Sequence, residues 1–84
     1  VAVAAAQVSV GTSATSVLQA GDAGVEAVVR NAGAASVFLG GSGVATTDGY
    51  ELEVGSTVRL LLTAGDQLFG VVATGTEEIH VISA

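Results

Sequence analysis

Residues 57–83 read TVRLLLTAGDQLFGVVATGTEEIHVIS, and the alternation along this stretch decides the fold class. Successive side chains of an extended strand point to opposite faces. Val58, Leu60 and Leu62 therefore share one side, and Thr57, Arg59, Leu61 and Thr63 the other. Ile79 and Val81 in the same way oppose Glu78, His80 and Ile82. The connections AGD (64–66) and TGT (74–76) place a glycine at the centre of a short turn, where a left-handed residue closes a hairpin. The last three strands are accordingly expected to form a consecutive antiparallel meander.

The same pattern extends toward the N-terminus. In VEAVVRN, Val25, Ala27 and Val29 oppose Glu26, Val28 and Arg30. Glycine recurs about every eight to twelve residues and no long 3.6-residue period competes, which is the signature of short strands in a sandwich or barrel. With no proline in the chain, glycine must supply most of the turn punctuation. Strands are expected at 7–10, 14–19, 25–31, 36–40, 50–54, 57–63, 67–73 and 77–83. The expected architecture is all-β: a small antiparallel β-sandwich or jelly-roll-like barrel of about seven or eight short strands. A jelly roll and an immunoglobulin-like sandwich share strand count and turn spacing, so turn chemistry leaves both open.

One strand breaks the alternation. In QLFGVVA, Leu68 and Val72 lie on one face while Phe69 and Val71 lie on the other. A strand apolar on both sides is either central between two layers or covered on its second face by a partner. The second explanation is adopted, with Leu61, Phe69 and Val71 as interface candidates. Of the three aromatic residues, Phe38, Tyr50 and Phe69, at least two are expected in the core.

Length and composition lean toward assembly. A chain of 84 residues is one domain, taken as 1–84. At this size about 60–65% of the unfolded chain's surface is buried, so a monomer is marginal without a staple. There is no cysteine for a disulfide, and a lone histidine does not make a structural zinc site. Half of the residues are apolar and only 12% are charged, too apolar for disorder and too poor in charge for an ordinary free-standing surface. Cover by partner subunits resolves both points. The opening VAVAAAQVSV lacks the basic start of a signal peptide, and an initiator methionine is expected to have been lost. Residues 1–10 are read as an extended N-terminal docking segment, which adds Val1, Val3, Val8 and Val10 to the interface candidates.

A formal net charge of −6, with Arg30 and Arg59 the only basic residues besides His80, excludes two partner classes. Nucleic acid requires a basic footprint to displace phosphate counterions, and an anionic membrane surface repels an acidic protein. No stretch reaches the 18 apolar residues of a membrane-spanning helix.

Candidate chemistry is sparse. Glu78 and His80 share a strand face with Glu77 nearby, a pairing suited to general-base work or metal ligation, although neither a nucleophile motif nor a third ligand accompanies it. The glycine-rich LGGSGVATTDG (39–49) lacks the lysine and following helix of a phosphate-binding loop. Asp48, Glu51, Glu53 and Asp66 supply calcium-type oxygens, but in no dense run. Solvated surface charge is the plainer account of each. No catalytic residue, cofactor or metal is expected, and the protein is read as a non-enzyme.

From Asn31 to Ser83 the order of elements is recognisable: NxG before a strand, VFLGGxGV, GYxLxxG, GDxLFGV, GT and a last strand ending HVI. In these the chain resembles small structural proteins of tailed bacteriophages, the head-decoration and head-fibre type. The resemblance implies a compact sandwich or jelly-roll-like domain, a virion location on the capsid surface, a homotrimer, and the major capsid protein as partner. The expected function is capsid decoration and stabilisation from the exterior. A fibre, spike or tail module that binds a receptor or glycan is the alternative, with Tyr50 as its exposed aromatic, and a hydrolase or metal enzyme around Glu78 and His80 is the third reading.

Overall fold

The computed structural model describes residues 3–22 and 24–84. Among the described residues eight strands follow in order: β1 Ala4–Val10, β2 Thr15–Gln19, β3 Val25–Asn31, β4 Val37–Gly40, β5 Tyr50–Leu52, β6 Thr57–Leu62, β7 Gln67–Val71 and β8 Glu77–Ser83. They form two four-stranded antiparallel sheets, β1-β8-β3-β6 and β2-β7-β4-β5. First strand pairs with last, second with seventh, third with sixth and fourth with fifth. This is the order produced when a long hairpin rolls over on itself, the jelly roll.

The expected meander of β6, β7 and β8 is not what the chain adopts. β6 pairs with β3, β7 with β2 and β4, and β8 with β1 and β3. Only the β4–β5 connection stays within a sheet; the other connections cross between layers. Glycines with positive φ do stand in the β6–β7 and β7–β8 turns, Gly65 at 81° and Gly75 at 65°. Such a turn reverses the chain equally well toward a neighbour in the same sheet or one in the facing sheet. Burial decides between them. In the observed arrangement Val58, Leu60, Ile79 and Val81 stand in the first sheet and pack on Leu68 and the other inward residues of the second. Crossing at each turn divides them between layers, so that they pack on one another.

The core is small and aliphatic. Val10, Val17, Val29, Val37, Leu39, Leu52, Leu68, Val72, Ile79 and Val81 form one buried cluster, with Val8, Leu18, Val58, Leu60 and Leu62 packed against it. The inward faces read from alternation in β3, β6 and β8 are the faces observed. The aromatic expectation is overturned: none of Phe38, Tyr50 and Phe69 belongs to the cluster. Phe38 and Phe69 are half-buried and Tyr50 is exposed. A thin sandwich of Val and Leu leaves little depth between its sheets for a ring. Accessible surface is 4635 Å², close to the roughly 4,500 Å² expected of a folded monomer of 8.1 kDa. The core thus closes within one chain.

Two junctions lock the layers. Asn31, fully buried at the end of β3, donates from Nδ2 to the carbonyls of Ala35 (2.8 Å) and Leu52 (2.9 Å) and accepts from Gly33 N–H at Oδ1 (2.9 Å). One side chain thereby ties the β3–β4 turn to the end of β5 in the other sheet. At the opposite end, Asp66 Oδ2 accepts from Thr63 N–H (2.9 Å) and Thr63 Oγ1–H (2.7 Å), and Ala20 N–H donates to the Asp66 carbonyl (2.8 Å). The Thr63 hydroxyl first, then its amide, hold the Asp66 carboxyl below its ordinary pKa.

Gly24 makes the tightest approach in this region. Its φ is +74°, and an added Cβ would stand 2.6 Å from the Leu62 carbonyl oxygen, a backbone atom that cannot swing aside. Gly24→Ala is expected to cost about 2–3 kcal/mol, the sum of left-handed strain and a displaced turn. Urea unfolding reads this directly, and a loss under about 0.5 kcal/mol would mean that the β2–β3 turn relaxes freely.

Candidate functional site

The expected second apolar face does not exist as one surface. Leu61 projects from the outer side of the β1-β8-β3-β6 sheet, 75% exposed. Phe69 and Val71 lie on the outer side of the other sheet, where Val71 pairs with Phe38. Val71 is nonetheless buried, in a depression walled by residues 44–46 and 12–14. The β4–β5 loop folds back to achieve this: Val44 packs so closely on Gly40 and Gly49 that neither could carry a Cβ unmoved. Part of the apolar character of β7 is thus covered by the chain itself, a loop contact that strand alternation does not encode.

The N-terminal candidates also separate. Val1 lies outside the described residues. Val3 is 69% exposed, Val8 is half-buried against the core and Val10 has no exposed surface. Residues 4–10 of the expected docking segment are β1, an edge strand paired with β8 of the same chain.

What the register assembles instead is the outer face of the first sheet. Gln7, His80, Arg30 and Thr57 stand side by side across its four strands. The next row, Ala5, Ile82, Val28 and Arg59, is apolar up to its last member. Beyond it Glu26 pairs with Leu61. The chain's two arginines and its histidine therefore all emerge from one face of a protein of net charge −6. Arg59 Nε donates to Glu26 Oε2 at 2.6 Å, a solvent-exposed pair worth little to stability. Among the described residues Arg30 has no carboxylate within ion-pairing reach.

A shallow depression of about 500 Å³ runs along these rows, lined by Ala5, Gln7, Val28, Arg30, His80 and Ile82 among others. His80 Nε2 lies 3.4 Å from Glu78 Oε1, beyond a good hydrogen bond, and both side chains are roughly half exposed. His80 lines the depression and Glu78 does not. The enclosed pocket shared by both, which the hydrolase reading requires, is not formed by this pair. Among the described residues no three His, Asp or Glu side chains converge as metal ligands would. Asp48 accepts from Ala45 N–H (2.8 Å) in its own loop, and Asp66 caps a turn at a different end.

A second surface lies at the edge of the other sheet. Because β5 is only three residues long, it leaves the inner side of β6 partly open. Tyr50, 63% exposed, borders the resulting groove with Leu39, Val58, Leu60 and Leu68, a lining that is almost wholly apolar. Neither outer surface was legible from spacing alone, because cross-strand register places residues from β1, β8, β3 and β6 in one row. No family model matches the sequence, and neither curated proteins nor solved structures provide a match.

Proposed function

We propose that the protein is a structural component of a bacteriophage virion, a decoration protein that binds the exterior of the capsid lattice as a homotrimer and reinforces it. The observation that carries this reading is the outer face of the first sheet: an open apolar row flanked by charged side chains, with Leu61 and Ile82 substantially exposed. A surface of this kind suits cover by another protein better than enclosure of a small molecule. The resemblance over residues 31–83 points the same way. The strand order alone does not choose, since jelly rolls also build lectins and cupins.

Mechanically, a protein seated across a junction between capsid subunits adds contacts that must break before the subunits part. Binding only the assembled lattice stabilises it by mass action, and many copies multiply a modest energy per site. The net negative charge keeps decorated particles soluble and mutually repelling.

The test uses capsids assembled without the protein. Saturable binding to intact capsids, absent with unassembled capsid protein, together with a raised temperature of genome release, is the expected result. Binding neither to capsids nor to any other particle component sinks the proposal. The exposed Tyr50 beside its groove favours a second reading, a fibre, spike or tail module that binds a receptor. The apolar lining would suit a protein side chain better than a sugar, and loss of host attachment on Tyr50→Ala with capsid binding intact would select it.

A further inference from the structure

The stretch TVRLLLT, residues 57–63, is a near-palindrome about Leu60. Thr57 mirrors Thr63, Val58 mirrors Leu62, and only Arg59 against Leu61 differs in kind. Most of it is β6, an edge strand with β3 on one side and, among the described residues, no strand on the other. Hydrogen bonds on β3 fix which backbone groups of β6 are free. Glu26 exchanges both of its backbone bonds with Ala84 (3.1 and 3.0 Å), and Asn31 N–H donates to the Ser56 carbonyl (3.1 Å). Val25, Ala27 and Val29 therefore turn their backbone groups to β6, where Leu62, Leu60 and Val58 stand opposite them. The N–H and C=O of Arg59 and Leu61 consequently point out of the open edge. Thr63, whose N–H and carbonyl are both engaged by Asp66, ends the ladder on one side. The apolar groove of Leu39, Tyr50, Val58, Leu60 and Leu68 opens beside the same edge. The other edges are blunted: β2 has a register irregularity between Ser16 and Leu18, β5 is three residues long, and β1 opens with three alanines that cover little.

We propose that the β6 edge docks on itself, pairing antiparallel with β6 of a second copy about a two-fold axis at Leu60. In that register Arg59 and Leu61 of one copy exchange backbone hydrogen bonds with Leu61 and Arg59 of the other. Leu60 stands opposite its own equivalent and Val58 opposite Leu62, so the inward rows continue across the seam and cover the mouths of both grooves. On the outer face Arg59 lies opposite Leu61, which is 75% exposed in the single chain, and lays its aliphatic stem over it. The near-palindrome selects a second copy as the occupant. A two-fold antiparallel contact sets each residue against its mirror and so calls for this symmetry, whereas a strand from an unrelated protein calls for none of it. The charge pattern fixes the axis. Moving it to Arg59 would oppose the two guanidiniums, and moving it to Leu61 would set Arg59 against Thr63, whose backbone groups are already taken.

This contact goes beyond the proposed function and does not rest on it. Being two-fold, it would join copies that belong to neighbouring trimers on a lattice. Capsid binding by a protein that shows no β6 pairing would overturn the contact and leave the decoration role standing. A β6 pair that binds no particle would do the reverse.

The test is the solution mass by light scattering at micromolar concentration, joined to a cross-linking readout. A dimer is expected, or a hexamer where a three-fold contact forms as well. Leu61→Lys sets a lysine opposite Arg59 at both ends of the seam, and Leu61→Glu sets a carboxylate there. The lysine variant should associate at least about tenfold more weakly than the glutamate variant. Net charge predicts the opposite order, because the lysine makes each chain less negative. Position 61 is largely exposed, and far-ultraviolet circular dichroism checks that both variants fold. The chain has no cysteine, so Arg59→Cys and Leu61→Cys can be introduced in separate copies and oxidised together. A disulfide between the two variants, and little within either one alone, reports the axis at Leu60, since like positions lie diagonally and too far apart to bridge. A wild-type monomer or trimer, a Leu61→Lys protein that associates as well as Leu61→Glu or better, or disulfides mainly between like variants would each overturn the proposal.

Discussion

Asn31→Ala is expected to lower the stability of the domain by about 3 kcal/mol, the largest loss anticipated from a single polar side chain. Three hydrogen bonds of about 1 kcal/mol each disappear with the amide. The Leu52 carbonyl, on a residue 2% exposed, then loses the partner that replaces water for it. Backbone hydrogen bonds from Asn31 N–H to the Ser56 carbonyl and from Gly55 N–H to the Asn31 carbonyl survive the substitution. The β3 end therefore stays in place while the turn to β4 loosens. At about 4–8 °C per kcal/mol for a domain of this size, the melting temperature should fall by roughly 12–24 °C. Asn31→Asp separates the amide's donors from its acceptor. It keeps an acceptor for Gly33 but sets a carboxylate against two carbonyls, so it should be least stable at neutral pH. It should recover in part on acidification, as a protonated carboxyl regains one donor. A melting temperature within about 3 °C of wild type for Asn31→Ala would mean that water replaces the amide at the sheet junction.

Ile79→Ala should cost about 3–4 kcal/mol, in the range of deleting a fully buried large aliphatic side chain. Ile79 is 0% exposed on β8, between Val8 of β1 and Asn31 of β3. With regular strands on both sides, the sheet has little freedom to collapse into the cavity. Total stability at about 0.05–0.15 kcal/mol per residue is roughly 4–13 kcal/mol here, so the substitution removes about a quarter of it or more. Ile79→Val should cost only about 1 kcal/mol. Urea midpoints that fall in this order with an unchanged slope are the expected outcome. Equal losses for the two variants would show that shape at this position matters more than volume. Because Ile79 and Asn31 are register neighbours, the double variant should depart from additivity.

The same two residues mark how far the sequence could be read. Ile79 was legible: EEIHVIS alternates, and its inward face is Ile79 and Val81 as expected. Strands β3 and β8 begin and end where pattern and glycine punctuation put them. Asn31 was visible only as part of an NxG motif before a strand. Its role as a clamp depends on Leu52, 21 residues later, which no local signal brings near it. Ala4 to Ala6 were missed as strand because alanine has little strand preference of its own. Their pairing with Ser83, Ile82 and Val81 makes them β1. The interface candidates Leu61, Phe69 and Val71 are outward or off-pattern positions, and such positions carry no record of which layer they leave from.

Side-chain alternation and turn glycines are local properties, and they sufficed for the number of strands, their approximate limits and the inward face of β3, β6 and β8. Composition sufficed for the acidic charge and for the absence of disulfides. Which strand lies beside which was decided only in three dimensions, because a left-handed glycine turn leads to the same sheet or the facing one at similar local cost. Only the need to bury both inner faces against each other removes that choice. The row of His80 and Arg30, with Arg59 in the row beside it, belongs to this second class. It exists because the first, third, sixth and eighth strands come to lie edge to edge, and strand pairing over such separations is settled by the packing of the whole sandwich.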